Sequence, residues 1–497
     1  MKNLFYLLII VFAFASCTDL EEELREDLSD TQDPEASALL VGAYNAMRMP
    51  FQHHERLFAA QEHTGDGVIG PTRGGDWDDN GIWRSLHAHT WNPDHDFLAA
   101  TYTELLQVVF ATTNLLQFNP TAQEAAEARL LRAMAVNAVL DGWGQVAFRE
   151  EGSSLLEDAE VLTSEEAIAL ILSELDAIMN DLPDGPNYRA NQDGAKVLRM
   201  KLLLNRGMYL NRANPSFDAA DMNAVIALAD EIINTGKYAL ATNYFDNFAP
   251  NNDQISTENI WTGENIGGTL SGEVRSRWFS TLHYNQQPSG WNGFATLSDY
   301  YDAFEADDTR LGGPYTGITD VGGINAGFLV GQQFDQDGNA LQDRNNQPLS
   351  FTREVSIIES GSDLEITGIR VIKYPIDYNN GDNANNDFVY YRYADVLLMK
   401  AEAALRTGDN ATALSIVNDI RTSRGATSLN AIDLDVLLAE RGRELFWENH
   451  RRTDLLRFGK FLDAWQEKSA SGEERLLFPI PAGSLASNPN LTQNPGY

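Results

Sequence analysis

Cysteine is nearly missing from this chain: Cys17 is the only one in 497 residues. No intramolecular disulfide can form. Basic residues are scarce too, 36 against 72 acidic ones, for a formal charge of −36. That balance repels nucleic acid and anionic headgroups and counts against a strongly anionic polysaccharide as ligand. The apolar run at residues 4–14 is too short to cross a bilayer as a helix, which takes about 20 residues. Signatures of catalysis are lacking as well. The sequence holds no nucleophile elbow, phosphate loop, dinucleotide fingerprint or His-x-x-x-His pair. No cofactor is expected.

What is present begins at the N-terminus. Lys2, the apolar run and the small pair Ala15-Ser16 form an export signal over residues 1–16. Cys17 follows directly and resembles the acceptor cysteine of a bacterial lipobox, with Phe14 where leucine is usual. Lipidation of Cys17 is the expectation, with residues 17–33 as an acidic, solvated tether.

The rest is built to fold, with 43% hydrophobic and 10% aromatic residues. Apolar spacing predicts helices over 35–47, 96–117, 122–140 and 164–182. Two pairs follow, 194–210 with 218–235 and 391–407 with 410–424. Asn119-Pro120 breaks one helix, and Thr121 can cap the next. Stretches such as AEAALRTGDNATAL put alanines where helix backbones approach closely and Gly-Asp at the turn between them. The fold class is therefore mainly α, a tetratricopeptide-like scaffold of helix pairs. Residues 34–242 and 389–497 carry it. Between them, 243–388 reads as ordered loops with short β-like pieces at 355–358 and 366–373. Its scattered tryptophans and tyrosines argue against disorder.

One loop stands out, TRGGDWDDNGIW, which spends Trp77 and Trp83 among glycines and carboxylates. Flat aromatics stack on the C–H face of a sugar ring while Asp76 and Arg73 can bond its hydroxyl rim. The expectation is that Trp77 and Trp83 face solvent; the alternative is that they plug the loop onto the helices. Asp76, Asp78 and Asn80 also match the first half of a calcium loop, but position twelve is His87 instead of glutamate. An Asp/Asn-rich turn is the preferred reading. A glycoside hydrolase would draw a carboxylate pair from Asp66, Asp76, Asp78 and Asp79. His53, His54, His63, His87, His89 and His95 lack metal-ligand spacing and read as surface residues, with 87–89 extended.

The stretches YYRYADVLLMKAEAALRTGDNATALSIVNDIRTSRG, LLAERGRELFWENHRRTDLLRFGKF and LFPIPAGSLASNPNLTQNPGY together resemble the SusD-like (RagB/SusD) lipoproteins. NGFATLSDYYDAFEADDTR is similar to a mid-chain segment of the same family. ARLLRAMAVNAVLDGWGQVAF resembles the family's helix ending in an aromatic-Gly turn, although Gln145-Val146-Ala147 stands where Asp-Val-Pro is usual after the Gly. The resemblance implies a non-catalytic receptor on the outer membrane, lipid-anchored and facing outward. It also implies delivery of an oligo- or polysaccharide to a SusC-like TonB-dependent transporter. By the same resemblance the glycan site is an aromatic arc matching Asp76, Trp77 and Trp83 with Tyr284 and Trp291. The ligand class it suggests is a neutral β-glucan or fructan. Residues 440–457 read as ion pairing within the scaffold. A surface hydrolase and a purely structural, protein-recruiting lipoprotein remain the alternatives.

Overall fold

Alanine-rich, well-capped segments form the helices. The computed structural model describes residues 34–497, so Cys17, the signal segment and the tether lie outside the described residues. Helix α1 spans Ala36–Ala46, α2 Asp96–Leu115, α3 Ala122–Trp143 and α4 Ser164–Ile178. Then come α5 (Gln192–Leu210), α6 (Ala219–Asn234), α7 (Tyr393–Arg406), α8 (Asn410–Ser423), α9 (Leu434–Leu445) and α10 (Arg451–Arg457). Thr121 and Thr163 each close a capping box, with Glu124 and Glu166, so both helices start where two backbone donors are satisfied together. Helix α3 ends on Gly144, whose φ of 74° suits a left-handed cap.

Each of α2 to α8 packs against the next in sequence, which is the pattern of a helix-pair solenoid. The contact between α6 and α7 is as direct as the others, although residues 235–392 intervene. The long insertion therefore leaves the array and returns to it without breaking the stack. An antiparallel pairing of Asn259–Gly263 with Phe388–Arg392 ties its two ends together. Residues 36–497 form one compact unit.

Several expected boundaries move. Residues 391–392 belong to that strand and not to α7, because Phe388, Val389, Tyr390 and Tyr391 are all buried and aromatic or β-branched. Helix α4 stops at Ile178 and reaches Pro183 through a turn. The β-like pieces shrink to Ile358–Glu359 and Arg370–Ile372.

Charge bolts the insertion to the helices. Glu444 on α9 accepts hydrogen bonds from Arg310, Arg392 and Arg424 at 3.0, 2.7 and 2.8 Å. Glu258 bridges Arg392 and Arg424, and Glu448 binds Lys373 and Arg392. All of these side chains are buried. The i, i+4 spacing of Glu440, Glu444 and Glu448 and the arginines of 441–457 thus serve the scaffold. Burial of so many ions is costly unless each is paired, which makes the arrangement exacting.

Candidate functional site

Strand residues Thr72–Arg73 pair in parallel with Ile358–Glu359. The chain then reverses over Gly74-Gly75, with Arg73 and Asp76 exchanging backbone bonds at 2.9 and 3.1 Å. Gly74 takes φ 68°, which glycine adopts without strain. Trp77, Asp79 and Asn80 also have positive φ (59°, 39° and 53°). For an indole-bearing residue that conformation costs about 1–3 kcal/mol, so the surroundings must hold it.

They do. The Trp77 indole Nε1 donates to the Trp291 carbonyl at 2.7 Å. Its ring lies directly on Gly293, where a Cβ would fall 2.2 Å from Cζ2. Phe294 and Trp83 flank it at 5.1 and 5.7 Å between centroids. Trp291 itself stacks on Phe279 (5.6 Å, 23°) and is 38% exposed. Its loop is closed by backbone bonds from Trp291 to Phe279 and from Asn292 to Leu282.

A polar rim adjoins the rings. Tyr284 Oη donates to Asp76 Oδ2 at 2.9 Å, and the Arg344 guanidinium stacks 3.9 Å over the Tyr284 ring. Arg344 also pairs with Asp76 (3.5 Å) and with Glu365, whose other oxygen meets His283 Nε2 at 2.9 Å. Burial, the bond to Asp76 and that carboxylate's charge push the Tyr284 phenol up to about 12, so it stays a neutral donor. Asp76, Trp77, Tyr284 and Trp291 are therefore brought together on one open face.

Two expected members are elsewhere. Trp83 is 1% exposed, on the short helix Ile82–His87, packed among His54, His63, Phe97 and Phe294. Only its Nε1 finds a polar partner, Asp79. It is the plug beneath Trp77, because six helical residues directly after the turn swing the indole inward. Arg73 is buried as well and spends its guanidinium on the carbonyls of Leu364, Thr367 and Gly293. It supports the floor of the face and cannot reach a ligand lying on it.

Asp76 turns to Tyr284 and Arg344, while Asp78 pairs with Arg84 at 2.6 Å, so the half calcium loop does not converge. Among the described residues, no three His, Cys, Asp or Glu side chains are grouped to hold a metal. Asp66 is engaged by Arg451. His54, His63, His87, His89 and His95 are buried rather than at the surface, and His87 closes a helix instead of lying extended. Arg344 and Glu365 escaped the sequence reading. Arg344 lies in the turn-rich stretch DQDGNALQDRNNQ, and which residue of it overhangs Tyr284 depends on contacts more than fifty residues apart.

The family model described as the SusD family matches residues 240–497. The starch-binding protein SusD of Bacteroides thetaiotaomicron is 23% identical over 479 residues, covering 85% of this chain and 82% of that one. A solved laminarin-binding SusD-like protein superposes with a TM-score of 0.71 at 20% identity, over 94% of this chain and all of the other. Surface glycan-binding protein A of Bacteroides thetaiotaomicron, solved with laminarihexaose, gives 0.68 at 18% identity, over 92% and 98%. The matched segment contains the strand that re-enters the helix array, the α7–α8 pair and the buried Glu440–Glu444–Glu448 row. With that whole framework inside the match, the chain belongs to the SusD family.

Proposed function

We propose that this chain is a cell-surface glycan-binding lipoprotein that captures a neutral oligo- or polysaccharide, a β-glucan or fructan, and passes it to a TonB-dependent outer-membrane transporter. The observation that carries the reading is the open face on which Trp291 and Trp77 are joined by a hydrogen bond and bordered by Tyr284, Asp76 and Arg344. Stacking surfaces with a hydrogen-bonding rim suit a sugar ring. The overall charge of −36 and the carboxylates of Asp76 and Glu365 beside a single arginine favour a neutral glycan. Relatives named for starch and laminarin binding support the class.

Anchoring at the outer membrane through Cys17 and transfer to a SusC-like barrel belong to the same proposal, as does the absence of catalysis. Affinity electrophoresis of the purified protein against laminarin, other β-glucans, fructans and starch tests it. Retardation by a neutral polysaccharide without release of reducing ends is expected. Release of reducing ends would make it a hydrolase. No retardation by any of them would leave a structural or protein-recruiting role.

A further inference from the structure

The insertion builds a second cleft, of about 750 Å³, from segments 243–255, 314–321 and 376–385. None of it comes from the helix array, and none of the platform residues line it. Tyr315 and Tyr378 stand in it half-exposed, each fixed by its hydroxyl: Tyr315 donates to Asp246 at 2.8 Å and Tyr378 to the Gln287 carbonyl at 2.6 Å. Their ring faces are thus held in place rather than free to collapse. Ile255 and Val321 expose apolar surface beside them, 36% and 45%.

The polar lining is mostly amide and hydroxyl. The side chains of Asn251, Thr316 and Asn379 line the cleft and are not taken up by hydrogen bonds among the described residues. No lysine, arginine or histidine lines it, so nothing there would compensate an anion. Its two carboxylates both accept hydrogen bonds from groups of the cleft. Asp246 receives Tyr315, and buried Asp377 accepts from the backbone N–H groups of Asn379, Asn380 and Asn385. The volume falls in the range of small-molecule sites. Fixed aromatic faces, free amides and no basic side chain suit a ligand that is uncharged, rich in hydroxyls and apolar on its ring faces.

We infer that this cleft is a second carbohydrate site, taking a neutral oligosaccharide independently of the Trp77–Trp291 platform. It goes beyond the platform reading and does not require it. The loop that carries Tyr284 on one flank offers Gln287 to Tyr378 on the other, so one loop separates the two sites.

The test labels the full-length chain with 3-fluorotyrosine and assigns Tyr284, Tyr315 and Tyr378 by single Tyr→Phe variants. Laminarihexaose, cellohexaose, maltohexaose and a fructan oligosaccharide are then titrated to millimolar concentration. The expected result is saturable shifts of Tyr315 and Tyr378 with at least one of them, retained in Trp77→Ala/Trp291→Ala. In Asn251→Ala/Asn379→Ala, apparent affinity at these two tyrosines should fall about 3- to 10-fold. An oligogalacturonide should shift neither. If no neutral oligosaccharide moves Tyr315 or Tyr378, or if the anionic one moves them as much, the inference is overturned. Shifts confined to Tyr284 would uphold the platform alone; shifts confined to Tyr315 and Tyr378 would uphold the cleft and refute the platform.

Discussion

The indole of Trp77 is held by the backbone of Trp291: Nε1 donates to that residue's carbonyl at 2.7 Å, across more than two hundred residues of chain. One bond therefore couples the N-terminal loop to the insertion and fixes the relative position of two aromatic faces.

Trp291→Ala and Trp83→Ala should fail in opposite ways. Loss of Trp291 removes an exposed anchor, worth more than ~2 kcal/mol in a typical hot spot. A shallow site totals only about −4 to −8 kcal/mol, so retention on polysaccharide should become hard to detect while the melting temperature holds. Loss of buried Trp83 should cost about 3–5 kcal/mol of stability. Gel retardation and calorimetry on both variants check this; normal melting of Trp83→Ala would show that the indole is not the plug described.

Gly293→Ala should unseat Trp77. The added methyl would sit 2.2 Å from the indole and must lift it, breaking its bond to Trp291. The expected signature is weakened glycan retention with a smaller loss of melting temperature than in Trp83→Ala. Unchanged retention would mean that Trp77 does not contribute to the face.

Glu444→Ala should be among the most damaging single changes. It takes one carboxylate from each of the buried guanidinium groups of Arg310, Arg392 and Arg424, which retain Asp308, Glu440, Glu258 and Glu448 as partners. Breaking a buried pair costs about 3–5 kcal/mol. Thermal unfolding provides the readout, and a shift no larger than that of a surface glutamate would contradict the network.

Acid should destabilise the fold before carboxylates of ordinary pKa titrate. Burial lowers all eight imidazoles, His53 and His450 to about 4 and His89 to about 2. His54, His63, His87, His95 and His283 are lowered by burial too. Below their ordinary value of 6.5 the unfolded chain binds protons that the folded chain refuses, so stability falls as pH drops from about 6.5 towards 4. Burial raises Glu62 and Asp387 to about 7 and also raises Glu55, Glu174 and Asp221, and these five act oppositely between their ordinary and their raised values. Eight groups against five set the direction. Calorimetry at pH 7 and pH 5 should show a lower melting temperature and proton uptake on unfolding at pH 5; a flat or rising trend would refute the balance.

Cys17→Ser should release the protein from membranes into the soluble fraction, since a sulfur-linked diacylglycerol supplies most of the anchoring free energy. Fractionation and intact mass check it. An unmodified Cys17 in the native protein would remove the anchor from the proposed function.

The helix array was legible because its signals are local. Thr121 with Glu124, Thr163 with Glu166 and the alanine stripes of α7 and α8 act within a turn or two of the chain. The aromatic character of the functional loops was legible too, since Trp77, Tyr284 and Trp291 are conspicuous among turn residues. Which of the aromatics face solvent was not. Trp83 and Trp77 are six residues apart in the same loop, yet one is buried and the other lies at the face, because the first turn of Ile82–His87 rotates the later one inward. Arg73 disappears beneath the face because carbonyls from Gly293, Leu364 and Thr367 converge on it. Arg344 reaches the rim through Glu365, Asp76 and the Tyr284 ring. Local sequence can specify a helix, but a side chain's exposure and partners are set by segments hundreds of residues away, and only the folded chain brings those together.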